Sequence, residues 1–131
     1  MQIAKRDDWK TEPFPAAFKQ IVVERSYSQE EFCQITAGLI PEEMDDKWFI
    51  FYDAPWLYLH RSWTGFCIFK VCFEPEGERI KVCDVYVNRE STQYKGVDDR
   101  QDVSMLEILL DRRAGQDTRN QMQEYIKRRH F

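Results

Sequence analysis

The side chains best suited to chemistry in this chain stand in one short run, His60-Arg61-Ser62-Trp63-Thr64-Gly65, inside an otherwise apolar and aromatic stretch. His60 brings an imidazole, which changes charge in the pH range where general acid–base catalysis works. Arg61 brings a planar guanidinium that can pair two-point with a carboxylate or phosphate. Trp48 and Trp63 bring ring faces on which a guanidinium or a flat ligand stacks. Ser62, His60 and Asp84 have the residue types of a nucleophilic triad. Spacing argues against one. Ser62 is two residues from His60 on one strand, roughly 6–7 Å away, and Phe69 is expected between His60 and Asp84. No Gly-x-Ser-x-Gly turn presents the serine. No residue is therefore assigned a catalytic role.

These groups are positioned by strands. Residues 48–52, 56–63, 66–73 and 80–88 are rich in aromatic and β-branched side chains, which favour strands. Asp53-Ala54-Pro55, Thr64-Gly65 and Glu76-Gly77 separate them as turns. The pattern predicts a four-stranded antiparallel meander over 48–88. Closing its hairpins at these turns sets Phe49 opposite His60, His60 opposite Phe69, Tyr58 opposite Val71, and Phe69 opposite Asp84. Alternation then gathers Phe49, Phe51, Trp56, Tyr58, His60, Ser62, Cys67, Phe69, Val71, Asp84 and Tyr86 on one face. Trp48, Leu57, Leu59, Arg61, Trp63, Ile68 and Lys70 fall on the other. Both faces are largely apolar, so each needs cover or a partner. Arg61 among tryptophans needs an acid or a stacked ring, and Glu43 or Asp46 is placed to supply the acid.

The flanks read as helices. Residues 1–15, with Pro13 and Pro15, form an extended arm. Phe18, Ile21, Val22 and Val23 suggest a short helix within 16–25. Ser28 and Glu31 make a capping box for a helix over 29–37 that Gly38 stops. Pro41 opens one more helical turn, Glu42-Glu43-Met44-Asp45-Asp46. Residues 103–113 form the clearest helix, with Gly115 beyond it. Asp117 or Thr118 caps a last helix to residue 129, striped by Met122, Tyr125 and Ile126. The fold class is α+β: one domain, 1–131, with short helices in 16–46, the antiparallel β-meander, and two helices in 101–129.

Composition narrows the partners. The formal net charge of −4 does not favour nucleic acid or an anionic membrane. Lys127-Arg128-Arg129-His130 is accounted for as cations at a helix C-terminus. The acidic pairs at 30–31, 42–43 and 45–46 suit solvated helix ends, or a basic protein partner. Cys33, Cys67, Cys72 and Cys83 form no Cys-x-x-Cys motif, so neither a metal centre nor a cofactor is expected. The first ten residues are charged, unlike a signal peptide, and no run approaches the ~18–20 apolar residues of a membrane helix. A cytoplasmic protein with free thiols is expected.

The runs Asp46-Lys47-Trp48-Phe49-Ile50, Trp56-Leu57-Tyr58 and residues 60–68 resemble the centre of a set of small uncharacterised bacterial proteins. The resemblance covers the middle of the chain, carries no activity, and marks residues 60–65 as the stretch to test. The expected function is a binding or interaction protein for a small anionic ligand or a protein partner. Its site would draw on Trp48, His60, Arg61, Ser62, Trp63, Thr64, Asp84 and Tyr86. The alternative is a small enzyme acting on a nucleotide or phosphate-bearing substrate, with Arg61 holding the anion and His60 as acid or base.

Overall fold

The chain is organised on an antiparallel sheet of six strands. The computed structural model describes residues 2–129, with side chains to residue 127. His130 and the side chains of Arg128 and Arg129, part of the basic segment noted above, lie outside the described residues. The strands are β1 (Phe18–Ile21), β2 (Ser26–Tyr27), β3 (Trp48–Asp53), β4 (Trp56–Arg61), β5 (Cys67–Glu76) and β6 (Arg79–Asn88). The helices are α1 (Gln29–Ala37), α2 (Asp99–Arg113) and α3 (Arg119–Arg129). Strand order is β1-β6-β5-β4-β3, and β2 also pairs with β6. The fold is thus α+β as expected, but the sheet is wider than a four-stranded meander.

The extra width comes from the segment expected to be helical within 16–25. Phe18, Lys19, Gln20 and Ile21 pair with Asn88, Val87, Tyr86 and Val85. The apolar run there is short, and isolated helices of such length do not hold in water. Val22 and Val23 are β-branched and stiff at χ1, and the open edge of β6 offers partners to the backbone groups of Phe18–Ile21 that face it. The segment after Pro41 is also not a helix. The Asp46 carboxylate accepts the backbone N–H groups of Glu42 (2.9 Å) and Glu43 (3.2 Å), which closes a turn. Where local chemistry is specific, sequence and structure agree. Ser28 Oγ accepts the Glu31 N–H at 3.1 Å, Glu31 Oε1 accepts the Ser28 N–H at 2.9 Å, and α1 runs to Gly38 at φ +74°.

Register decides which side chains share a face. β3 and β4 pair as expected, with Phe49 opposite His60. β4 and β5 do not. Their turn occupies residues 62–65 rather than Thr64-Gly65 alone, and a bulge follows at Leu59/His60. As a result Leu59 faces Phe69, Tyr58 faces Lys70 and His60 faces Cys67. A one-residue change of register reverses every side chain, so Phe69 and Val71 move to the Arg61 face and Lys70 leaves it. A second bulge on β6 sets Cys83 and Asp84 opposite Cys72, and Phe69 faces Val87 rather than Asp84.

Both apolar faces are covered, by different means. Ile35 of α1 and Leu106, Leu109 and Leu110 of α2 join the core with Ile50, Leu57, Leu59, Phe69, Val71, Val85 and Val87. The arm straps the other face. Ala4 packs with Phe49 and Phe51, its N–H donates to Ala37 O at 2.8 Å, and Arg6 lies over the Phe51 and Tyr58 rings at 4.7 and 5.0 Å. Two buried carboxylates lock α2 in place. Asp111 accepts from Tyr27 Oη at 2.7 Å and from Gln121 Nε2 at 3.0 Å. Asp102 accepts from Arg89 and from the Tyr94 hydroxyl.

The cysteines give this packing a chemical readout. Burial pushes the Cys67 thiol up to about 12. Burial, with Cys83 beside it, pushes the Cys72 thiol up to about 11. Cys33 is exposed. Thiolate is the reactive form, so iodoacetamide at neutral pH is expected to modify Cys33 first and Cys67 only on unfolding, as read by peptide mass mapping. Labelling of Cys67 at the rate of Cys33 would mean that the core is open.

Candidate functional site: a cleft between sheet and helices

Arg61 is the last residue of β4 and pairs with Trp48 across the β3–β4 ladder. Its guanidinium consequently stacks on the Trp48 ring, 4.9 Å from the centroid. α2 and α3 leave this corner of the sheet open, and a cleft of about 910 Å³ remains. Trp48, Ile50, Arg61 and Phe69 come from the sheet. α2 supplies Gln101, Asp102, Met105, Leu109, Arg112 and Arg113, and α3 supplies Met122, Tyr125 and Ile126. Asp45, Asp46 and Lys47 lead into β3, and Tyr94, Gly96, Val97 and Asp98 lead into α2.

The cations of this cleft differ in how they are satisfied. Arg112 donates from Nε to Thr118 Oγ1 at 3.1 Å. Arg61 has the Trp48 ring. Burial, and then the neighbouring charge of Arg112, make Arg113 less basic than an ordinary arginine, with Asp46 attracting it in the opposite sense. Among the described residues neither the Arg61 nor the Arg113 guanidinium makes a hydrogen bond or a close ion pair. A half-buried cation left this way is a poor arrangement unless an anion completes it.

The other sequence-marked residues are placed elsewhere. His60 is 1% exposed and points to the opposite face from Arg61, as neighbours on a strand must. Its Nδ1 bonds Gly65 O at 2.8 Å, its ring stacks on Phe51 at 5.5 Å, and Nε2 has no partner among the described residues. Ser62 Oγ donates to Asp46 O at 2.6 Å, and Trp9 Nε1 donates to Ser62 O at 2.7 Å. Trp63 is exposed, with its indole N–H on Met44 O at 3.0 Å. Thr64 Oγ1 accepts the Phe66 N–H at 3.2 Å. Asp84 is exposed and accepts from Gln20 at 3.3 Å, and Tyr86 packs on Phe18 at 5.2 Å. Residues 62–65 thus tie the arm and the 44–46 turn to the sheet. The Ser62 hydroxyl and the Asp84 carboxylate are engaged away from His60, so the three form no triad. Arg113 and Met105 escaped the sequence reading, and Leu109, expected on the apolar side of the 103–113 helix, was not expected at a site. Their signal was a second stripe, 101-105-109-112/113, at helical spacing beside the core stripe.

His60 makes the fold sensitive to acid. Burial holds its pKa below the ordinary value, the Gly65 hydrogen bond partly opposes this, and Arg6 adds to the lowering. The folded protein therefore keeps the ring neutral, and the unfolded chain takes up a proton at about pH 6.5. The stabilisation is complete above that pH and declines below it, by at most about 1.4 kcal/mol per pH unit. Urea midpoints from pH 7.5 to 5 are expected to fall, and to fall less steeply in His60→Gln. Equal slopes in the two proteins would remove His60 as the cause.

Among the described residues no group of three His, Cys, Asp or Glu side chains could hold a metal ion, and no helix is long and apolar enough to cross a membrane. Compared with known proteins, the chain matches no family model, no curated protein and no solved structure.

Proposed function

We propose that the protein is a non-enzymatic binding protein that takes a small anionic ligand into the cleft between its sheet and α2–α3. The observation that carries this reading is the pair of half-buried guanidiniums, Arg61 and Arg113, that line one cleft without an anion bound to either among the described residues. A carboxylate or phosphate seated there gains charge-assisted hydrogen bonds, the strongest kind a guanidinium makes. Trp48 fixes the plane of Arg61 in advance, which lowers the entropy lost on binding. Free cysteines suit a reducing, cytoplasmic setting.

The enzyme reading needs Arg61 and His60 at one reacting atom. Strand alternation sends them to opposite faces of the sheet, and His60 lies under the arm with Arg6 and Phe51. That reading is left without its acid or base, so the binding reading is preferred.

The test is a thermal-shift screen of carboxylates, phosphate monoesters and nucleotides against wild type, Arg61→Ala and Arg113→Ala. At a hundred times its Kd a ligand adds about 2.7 kcal/mol, a rise of several degrees in Tm. At least one anion class is expected to raise the wild-type Tm, with the response lost in both variants while their circular dichroism stays native. No shift with any anion, or equal shifts in the variants, would overturn the proposal.

A further inference from the structure

We infer that the ligand is a monocarboxylate with a hydrocarbon body, a fatty acid or a similar amphipathic acid. The inference rests on the proposal that the cleft binds an anion, and it assigns the chemistry of that anion. The charge around the cleft sets the first limit. Asp45 and Asp46 flank the same opening as Arg61 and Arg113. Of the remaining lining charges, Asp102 is matched by Arg89, Asp98 caps α2 through the Arg100 N–H at 2.9 Å, Arg112 donates to the neutral Thr118 hydroxyl, and Lys47 is exposed at the rim. Among the described residues four cations (Lys47, Arg61, Arg112 and Arg113) and four carboxylates (Asp45, Asp46, Asp98 and Asp102) line the cleft, so it carries no net positive charge to draw in a second or third negative charge, which argues against di- and triphosphates.

The body of the ligand follows from the remaining surface. Met105 and Leu109 of α2, Met122 and Ile126 of α3, and Ile50 on the sheet offer aliphatic and thioether contact. Methionine is unbranched and adapts to flexible chains. Of the polar groups at this surface, the Tyr94 hydroxyl donates to Asp102 and the Asp98 carboxylate holds backbone N–H groups, which leaves the Gln101 amide to meet a polar ligand. A base or a sugar placed here would bury more donors and acceptors than that one amide can satisfy, and a hydrocarbon chain would not. Ile126, at the cleft, is 46% exposed, so apolar surface is left for the ligand to cover. The volume of about 910 Å³ lies within the range of pockets that enclose a whole small molecule.

The experiment is calorimetric titration of the full chain with butyrate, octanoate and decanoate below their micellar concentrations, alongside decanol, decyl phosphate and AMP. Affinity is expected to rise from butyrate to decanoate, by up to roughly fourfold per methylene. Decanol and AMP are expected to bind at least tenfold more weakly than decanoate. Arg113→Ala should weaken decanoate at least tenfold, and Met122→Glu should flatten the chain-length dependence. If AMP or decyl phosphate binds more tightly than decanoate and still needs Arg61 and Arg113, the inference fails and the anion-binding proposal stands. If decanol binds as well as decanoate and Arg113→Ala changes nothing, the inference fails as a case of unspecific apolar contact. If no anion of any class binds, both fail.

Discussion

A Gly38→Ala variant is expected to fail to accumulate as folded protein. Gly38 ends α1 at φ +74° and ψ −158°, a region that side-chain-bearing residues essentially do not occupy, at a cost of about 1–3 kcal/mol. A Cβ there would lie 2.1 Å from Ile50 O and 3.0 Å from the Cβ of Ala4. The first contact is with backbone, so no rotamer relieves it. Leu39 and Ile50 exchange backbone hydrogen bonds of 2.9 and 3.0 Å at this point, and moving them apart costs about 1 kcal/mol each. The sum, roughly 3–5 kcal/mol, is a large part of the 5–15 kcal/mol that holds an ordinary domain. Gly77→Ala is the control: its φ is +63° but nothing lies within 4 Å of the new Cβ, and about 1–2 kcal/mol is expected. Soluble yield and urea midpoints check both. A Gly38→Ala midpoint within the Gly77→Ala range would mean that residues 38–39 can leave β3 freely.

The second large effect is expected at Asp102. Its carboxylate is 1% exposed and receives both Arg89 and the Tyr94 hydroxyl. Asp102→Ala leaves Arg89 with Asp99, at 2.8 Å, and the Asn88 carbonyl, at 3.1 Å, and leaves the part-buried Tyr94 hydroxyl without its acceptor. Breaking a buried pair from one side costs about 3–5 kcal/mol. Asp102→Asn keeps the shape and one acceptor and should lose less. Tyr94, Gly96 and Val97 border the cleft, so Asp102→Ala is expected to weaken anion binding as well as stability. Urea denaturation and titration of the same samples separate the two effects. A loss below 1 kcal/mol would show that the carboxylate is not a structural anchor.

What could be read beforehand was the chemistry carried by local sequence. The Ser28–Glu31 box and Gly38 defined α1 because both ends of that helix are satisfied by side chains or a special φ within a few residues. The β3–β4 register was legible because the turn at Ala54-Pro55 is short. The β4–β5 register was not, because the turn takes in Ser62 and Trp63, held by Asp46 O and Met44 O, and because a bulge depends on packing rather than on its own residues. That single slip put Phe69 with His60 instead of with Arg61. β1 was misread for a related reason: Phe18–Ile21 gains its strand from β6, which lies far away in the sequence. For the site, the placing of Arg61 beside Trp48 survives from sequence to structure, since it needs only the β3–β4 register. Arg113 was hidden because a cation at a helix C-terminus already has an explanation in the helix dipole. Only the packing of α2 beside the sheet brings it to the same cleft as Arg61.

The central claim is that an anion is held between Arg61 and Arg113, and the side-chain Nε–Hε spectrum of the arginines tests it most directly. Decanoate and, separately, inorganic phosphate would be titrated into the full chain. The resonances of Arg61 and Arg113 are predicted to move together and saturate with one of these anions. Those of Arg119, paired with Asp117 at 2.7 Å, and of Arg79, bonded to Ser26 at 3.0 Å, are predicted to stay in place. Shifts of equal size in all arginines, or shifts in none, would contradict the claim.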